Sequence, residues 1–348
     1  MRVSRSCTVA TIVLVLGAGT GPAVALPRLS PADGATKPPK VAATCRGVPA
    51  TIEGDVPTLQ GTPGNDVIVA GGSVHHVLAG DGDDVICVVA DNRKRLDVQA
   101  GPGADLVDTT AATTITIAKM GTGTDTFIGG PELDAVFLDQ ELAGPTAVDV
   151  VQTGDGDDQL QAESAVDADL GPGDDFYIGE FTEGQGPSRV VLGRGDDVLR
   201  LDMGIAEHLR GASHSSVSKD SVGSLRLDLR RGTLVQDGVE SAVTGQESVI
   251  ANGPKVWVRG TGRADQVASG GCQVVMHGGG GADGLAQVKG FDVECTRRWA
   301  RLYGEAGPDR LQATEGNDVL IGGSGRDRAY AGGGRDRCVA EMTFACER

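Results

Sequence analysis

Apolar and polar residues alternate with a period of two in short runs spread along most of the chain. Thr114-Ile115-Thr116-Ile117, Val148-Asp149-Val150, Leu225-Arg226-Leu227-Asp228-Leu229 and Lys255-Val256-Trp257-Val258 are examples. Such a period sends successive side chains to opposite faces and predicts short β-strands. No helical run extends beyond about two turns with capping signals, so the pattern points to an all-β chain.

Glycine and aspartate punctuate these runs. The punctuation is cleanest from Gly304 to Cys338, where Asp309, Asp318, Asp327 and Asp336 follow one another every nine residues. Each has a glycine two positions earlier (Gly307, Gly316, Gly325, Gly334) and a small or apolar residue two positions later (Leu311, Leu320, Ala329, Cys338). A fixed short period of this kind is the signature of a repeat architecture. The same unit stands at Gly64-Asn65-Asp66 and Gly82-Asp83-Asp84, 18 residues apart, with His75 instead of an acid at the halfway point. Looser copies end at Asp105, Asp125, Asp134, Asp158, Asp175 and Asp197, and blurred ones at Asp265 and Asp283. Two nine-residue units make one flattened coil with a turn on each edge. The expected fold is therefore a solenoid with glycine-rich turns and coils of about 18–22 residues.

This reading divides the chain into a leader (1–25), a Pro-, Ala- and Lys-rich tether (26–44), an N-terminal repeat body (45–200), a degenerate or inserted stretch (201–259) and a C-terminal repeat body with its cap (260–348). One continuous body with decayed coils is expected; two stacked bodies divided near 201–224 is the alternative. The leader has Arg2 and Arg5, an apolar run from Val9 to Leu16 and the small-residue pattern Ala23-Val24-Ala25, which together read as an export signal. The apolar run is shorter than the roughly 20 residues a membrane span needs, so no membrane insertion is expected.

Composition narrows the chemistry. With 54 glycines and 3% aromatic residues, the core is expected to be thin and built from Val, Ile and Leu. A formal charge of -17 disfavours nucleic acid, which needs a basic face, and suits cations. Apart from Cys7 in the leader, six cysteines remain, an even number in an exported chain. Six cysteines allow 15 pairings. Proximity favours Cys45–Cys87, Cys272–Cys295 and Cys338–Cys346, of which the first and last would close the ends of the coil stack.

Glycines two residues apart let the backbone turn sharply and aim carbonyl oxygens to one side. The aspartate that ends the turn adds a carboxylate. Coils stacked about 4.8 Å apart then line each edge with oxygen donors alone, a roomy, hard site that suits Ca²⁺ better than Zn²⁺ or Mg²⁺. The unit resembles the glycine-rich nonapeptide repeats of the hemolysin-type (RTX) calcium-binding family, best at Gly322-Gly323-Ser324-Gly325-Arg326-Asp327. The resemblance implies a parallel β-roll with Ca²⁺ between successive turns. It implies edge pairs Asp66 with Asp84, Asp265 with Asp283, Asp309 with Asp327 and Asp318 with Asp336. Carbonyls would come from Gly64, Gly82, Gly307, Gly316, Gly323, Gly325, Gly332 and Gly334. Arg310, Arg326, Arg328, Arg335 and Arg337 crowd the last of these aspartates. Pointing into solvent they leave the edge to metal; folded over it they replace Ca²⁺ with ion pairs.

Catalytic motifs are absent: there is no His-Glu-x-x-His and no Gly-x-Ser-x-Gly. The acid doublets Asp83-Asp84, Asp157-Asp158, Asp174-Asp175 and Asp196-Asp197 all occupy one repeat position, which favours structure or metal over a glycosidase pair. The expectation is an exported calcium-binding repeat protein, not an enzyme, with a structural or interaction role and a cell-surface or extracellular-matrix partner. The alternatives are a β-helix enzyme acting on polysaccharide, for which two tryptophans offer little platform, and an adhesin.

Overall fold

The computed structural model describes residues 43–89, 95–139, 147–181, 185–203, 223–245, 248–289 and 295–346. The expected leader, nearly all of the tether and the polar loop up to residue 222 lie outside them. The repeat unit sets the path of the chain. Each aspartate is followed by a short strand, and the chain then crosses to the opposite sheet. Val67–Ala70 lies in one sheet, His76–Leu78 in the other and Val85–Val88 in the first again. Among the described residues, sixteen strands form the first sheet, here sheet I, and fourteen form the second, sheet II. Nearly all neighbours within them are parallel. The fold is an all-β parallel solenoid, and no described helix is long and apolar enough to cross a membrane.

The core is a set of columns, one residue per coil. In sheet I the register stacks Ile68, Ile86, Val107, Phe127 and Val151. In sheet II it stacks Leu160, Tyr177, Leu199, Val249, Val267, Leu285 and Leu311. All are buried, and all but Val249 sit two positions after a repeat aspartate. The aspartate itself has the same parity, so it too faces inward. This parity overrides hydrophobicity locally. Thr114 and Thr116 are buried while Ile115 is 44% exposed, and Asp149 is buried while Val150 is 38% exposed. A strand cannot turn over to hide its isoleucine without exposing Ala118 and Met120 further along, because the side-chain period is two.

The stretch 201–259 enters as a detour in one sheet only. Sheet II runs straight through it, with Val198–Met203 paired parallel to Ser248–Asn252. Sheet I makes an antiparallel excursion: Ser224–Asp228, Thr233–Gln236 and Val239–Thr244 form a meander between the flanking parallel strands.

Three disulfides join the cysteines as proximity suggests: Cys45–Cys87, Cys272–Cys295 and Cys338–Cys346. Their roles differ. Cys338 and Cys346 pack against the core and cover the last coil. Cys87 lies on the outer parity of sheet I, so its bond pins the hairpin Thr44–Cys45/Val48–Pro49 to the sheet's flat face rather than over the open end. There Arg46 pairs with Asp108 at 2.8 Å, the residue in register with Cys87 on the next strand. Cys272–Cys295 ties the long coil between Asp283 and Asp309 to the coil before it, which holds Cys272.

The columns predict a graded response to truncation. Leu199→Ala, at a fully buried column position, is expected to cost about 2–5 kcal/mol and lower the urea midpoint. Val150→Ala, half out of the same stack, is expected to change stability by less than about 1 kcal/mol.

Candidate metal centre

The turns carry one hydrogen-bond pattern from coil to coil. Within a run, the backbone N–H of one repeat aspartate donates to the Oδ1 of the aspartate one coil later. On the edge entering sheet I this links Asp66 to Asp84 (2.8 Å), Asp84 to Asp105 (2.8 Å), Asp105 to Asp125 (2.9 Å) and Asp125 to Asp149 (2.8 Å). On the edge entering sheet II it links Asp134 to Asp158, Asp158 to Asp175 and Asp175 to Asp197. It resumes there as Asp265 to Asp283, Asp283 to Asp309 and Asp309 to Asp327. The C-terminal nine-residue repeat alternates edges: Asp318 stacks with Asp336 on the sheet I side while Asp309 stacks with Asp327 on the other. The final donor, the Asp327 N–H, reaches Glu341 Oε2 at 2.7 Å, so a longer acid ends the ladder.

Where the sheet I ladder loses its acids, serines take over. Ser164 Oγ donates to Asp149 Oδ2, the Val166 N–H donates to Ser188 Oγ, and the Ser188 N–H donates to Ser241 Oγ. The acid doublets acquire a division of labour. The second acid belongs to the buried ladder, whereas the first, exposed one accepts from the coil after it, as in Ala104 N–H to Asp83 and Asp174 N–H to Asp157.

Each ladder carboxylate thus spends one oxygen on the backbone. The other is buried and has no hydrogen-bond partner at Asp84, Asp105, Asp283, Asp309, Asp318 and Asp327. In the C-terminal turns this Oδ2 lies against the glycine five positions earlier. A Cβ on Gly278 would collide with Asp283 Oδ2 and come within 2.8 Å of the Gly304 carbonyl; Gly304 and Gly322 are crowded in the same way by Asp309 and Asp327. The turns themselves stack so closely that a Cβ on Gly82, Gly325 or Gly334 would overlap the backbone of Gly64, Gly307 or Gly316 one coil below. Gly323 and Gly332 meet the carbonyls of Glu305 and Thr314 likewise. A carboxylate oxygen and a carbonyl oxygen therefore share the cradles at Gly278 and Gly304. No three His, Cys, Asp or Glu side chains converge among the described residues, so a cation here would draw most of its donors from the backbone.

The first carboxylate of a run is different. Asp66 receives the Thr62 N–H (2.7 Å) and the hydroxyls of Thr62 (2.9 Å) and Thr51 (3.0 Å). Asp265 receives the N–H and hydroxyl of Thr261, and Asp134 receives the Gly130 N–H and the Thr109 hydroxyl. Threonine satisfies the first carboxylate of a run, where the coil before it carries no repeat aspartate. At the C-terminal edge Arg310, Arg326, Arg328 and Arg337 are exposed, and none forms an ion pair with the buried carboxylates among the described residues. These four arginines leave the edge open.

Four copies of the RTX calcium-binding nonapeptide repeat match the chain, over residues 58–86 and 303–338. The chain carries RTX calcium-binding repeats. The matches contain Asp66, Asp84, Asp309, Asp318, Asp327 and Asp336. Outside the matched stretches Asp105, Asp125, Asp158, Asp175 and Asp197 occupy the same ladder geometry. Their Gly-x-Asp units are plain in the sequence. Asp149 is not, because no glycine precedes it by two; only its inward apolar successor Val151 marks it as a ladder position. No curated protein matches the chain.

Burial and neighbouring carboxylates push several of the repeat aspartates above the usual range. Asp134 and Asp175 rise to about 7, and Asp105, Asp158, Asp283 and Asp318 to about 6, with burial the larger cause. At Asp66 burial is outweighed by the Thr62 and Thr51 donors, and the carboxyl sits below its ordinary value. A carboxyl whose folded pKa is raised binds more protons folded than unfolded. Its contribution is complete below the unfolded value of about 3.8 and is lost as pH rises through about 6–7. The metal-free protein should therefore lose thermal stability between pH 4 and pH 7. Melting curves recorded in chelator across that range test this; a midpoint that rises with pH would contradict it.

Proposed function

We propose that this is an exported calcium-binding protein in which Ca²⁺ lies along the turn edges. It would be held by the second carboxylate oxygen of the RTX aspartates and by carbonyls of stacked turns. The observation that carries this reading is the run of buried carboxylate oxygens without a partner, of which those of Asp283, Asp309 and Asp327 lie against glycines where a Cβ would collide with them. Those donors are all hard oxygens, as Ca²⁺ prefers. A stack of like charges held in a dry turn has a reason to persist if a divalent cation neutralises it.

Asp84, Asp283, Asp309, Asp318 and Asp327 are the aspartates assigned this role, joined by Asp105. Asp66 and Asp265 act instead as threonine-satisfied ends, and Asp336 as the acceptor that closes the sheet I edge. Gly64, Gly82, Gly307, Gly316, Gly323, Gly325, Gly332 and Gly334 supply close-packed turns and carbonyls. Export is supported by the leader's pattern and by three disulfides, which persist in oxidising compartments. A structural or interaction role outside the cell, without catalysis, is supported by the acid doublets, whose carboxylates accept inter-coil hydrogen bonds instead of converging on a groove.

Calorimetric titration of Ca²⁺ into chelator-treated protein should give saturable heat, a rise in strand circular dichroism and, near pH 6, proton release. Asp309→Asn should lower the number of bound ions, whereas Asp66→Asn should weaken the fold without changing that number. Equal spectra with and without Ca²⁺, together with no heat of binding, would sink the proposal.

A further inference from the structure

The outer face of sheet I changes character in its C-terminal half. Arg226, Trp257, Val275 and Arg301 lie in one row across adjacent strands, and Arg259, His277 and Tyr303 in the next row. Trp299 stands on the same face, beside Gln273. Both tryptophans of the chain are thus on this face. The Arg226 guanidinium sits 4.3 Å from the Trp257 ring centre, and that of Arg301 4.9 Å from Trp299. His277 stacks on Tyr303 with centroids 4.7 Å apart and lies 6.0 Å from Trp257. Its Nδ1 is 2.9 Å from Glu305 Oε1, which fixes the ring.

The charge of this face opposes that of the molecule. Lys255, Arg259 and Arg337 accompany the two stacked arginines, against the exposed Glu305, the buried Asp228 in register with Arg259, and Glu240 two strands beyond Arg226, in a chain of formal charge -17. Apart from Arg337, which follows Asp336, none of these side chains adjoins a repeat aspartate, and Arg226 and Arg301 are exposed.

We propose that this face binds an acidic polysaccharide. A guanidinium stacked on an indole is held in one orientation, so less freedom is lost when its N–H groups grip a carboxylate or sulfate in a bidentate pair. Arg226 and Arg301 are three strand spacings apart, about 14 Å, along a flat row. Two fixed anion grips with aromatic rings between them fit a polymer that carries repeated anionic groups on flat-faced sugar rings. A peptide adding a strand is disfavoured, because these strands are already paired on both sides and offer no free backbone edge. This binding is independent of the proposed Ca²⁺ sites.

The test uses the full chain in Ca²⁺ throughout and a short oligogalacturonate as probe. Because the chain has two tryptophans, both on this face, its intrinsic emission reports the face alone. Emission should change saturably with oligogalacturonate, weaken in high salt and stay unchanged with a neutral malto-oligosaccharide. Arg226→Ala combined with Arg301→Ala should weaken binding by about tenfold or more, while Arg189→Ala, on the N-terminal half of sheet I, should not. Arg226→Lys with Arg301→Lys retains the charge and serves if the alanine pair fails to fold; it should also bind several-fold more weakly. The proposal is overturned by any of three results: no saturable emission change, full affinity in the lysine pair, or equal affinity for polyglutamate.

Discussion

One hydrogen bond organises this molecule: an aspartate N–H in one coil donating to the aspartate carboxylate in the next. It repeats at 2.8–2.9 Å from Asp66 to Asp149 and from Asp265 to Asp327. It sets the vertical register, because a carboxylate has to arrive one coil later at the height of the waiting donor. It also forces the aspartate inward, and through the two-residue period it assigns every following side chain to core or solvent. The cost appears at the same place. A carboxylate that gives one oxygen to the backbone in a buried turn keeps a second oxygen that water does not reach. Threonine answers this need at Asp66 and Asp265, a proton answers it at low pH, and a hard cation suits the remainder.

Glycine makes the arrangement possible. Gly103, Gly123, Gly173 and Gly195 lie in the left-handed region, and a Cβ on any of them would overlap a carbonyl one coil below. The turns approach one another more closely than side chains permit. Oxygen atoms of successive coils meet there as a consequence, so the tight stacking and the donor-rich edges have one origin.

The repeat unit made the architecture legible. Asp309, Asp318, Asp327 and Asp336 announce their alternation between two edges by spacing alone, and the sheets place them so. Strand period was also readable, but parity was not wherever the ladder outranks hydrophobicity. Ile115 and Val150 look like core residues and are exposed, because Thr116 and Asp149 hold the inward register. Local alternation carries no information about which face an inter-coil bond has claimed. The meander at 224–244 was equally hidden, since its strands alternate like any others and only long-range pairing shows them to be antiparallel. For the aromatic face the obstacle was sequence distance. Trp257 and Trp299 are 42 positions apart in the chain yet stand on strands separated by a single other, so their scarcity concealed their concentration.

The ladder has a direction. Every coil supplies the acceptor for the coil before it and presents a donor to the coil after it. The two ends of the stack are therefore chemically unequal. The N-terminal end leaves a carboxylate to satisfy, which Thr62 does locally within the same turn. The C-terminal end leaves an amide to satisfy, which requires a further segment of chain and receives one in Glu341, held close by Cys338–Cys346. As the polypeptide is made from its amino end, each emerging coil stays incomplete until its successor arrives. Closure of the stack is thus deferred to the last few residues, which act as the latch of a growing column.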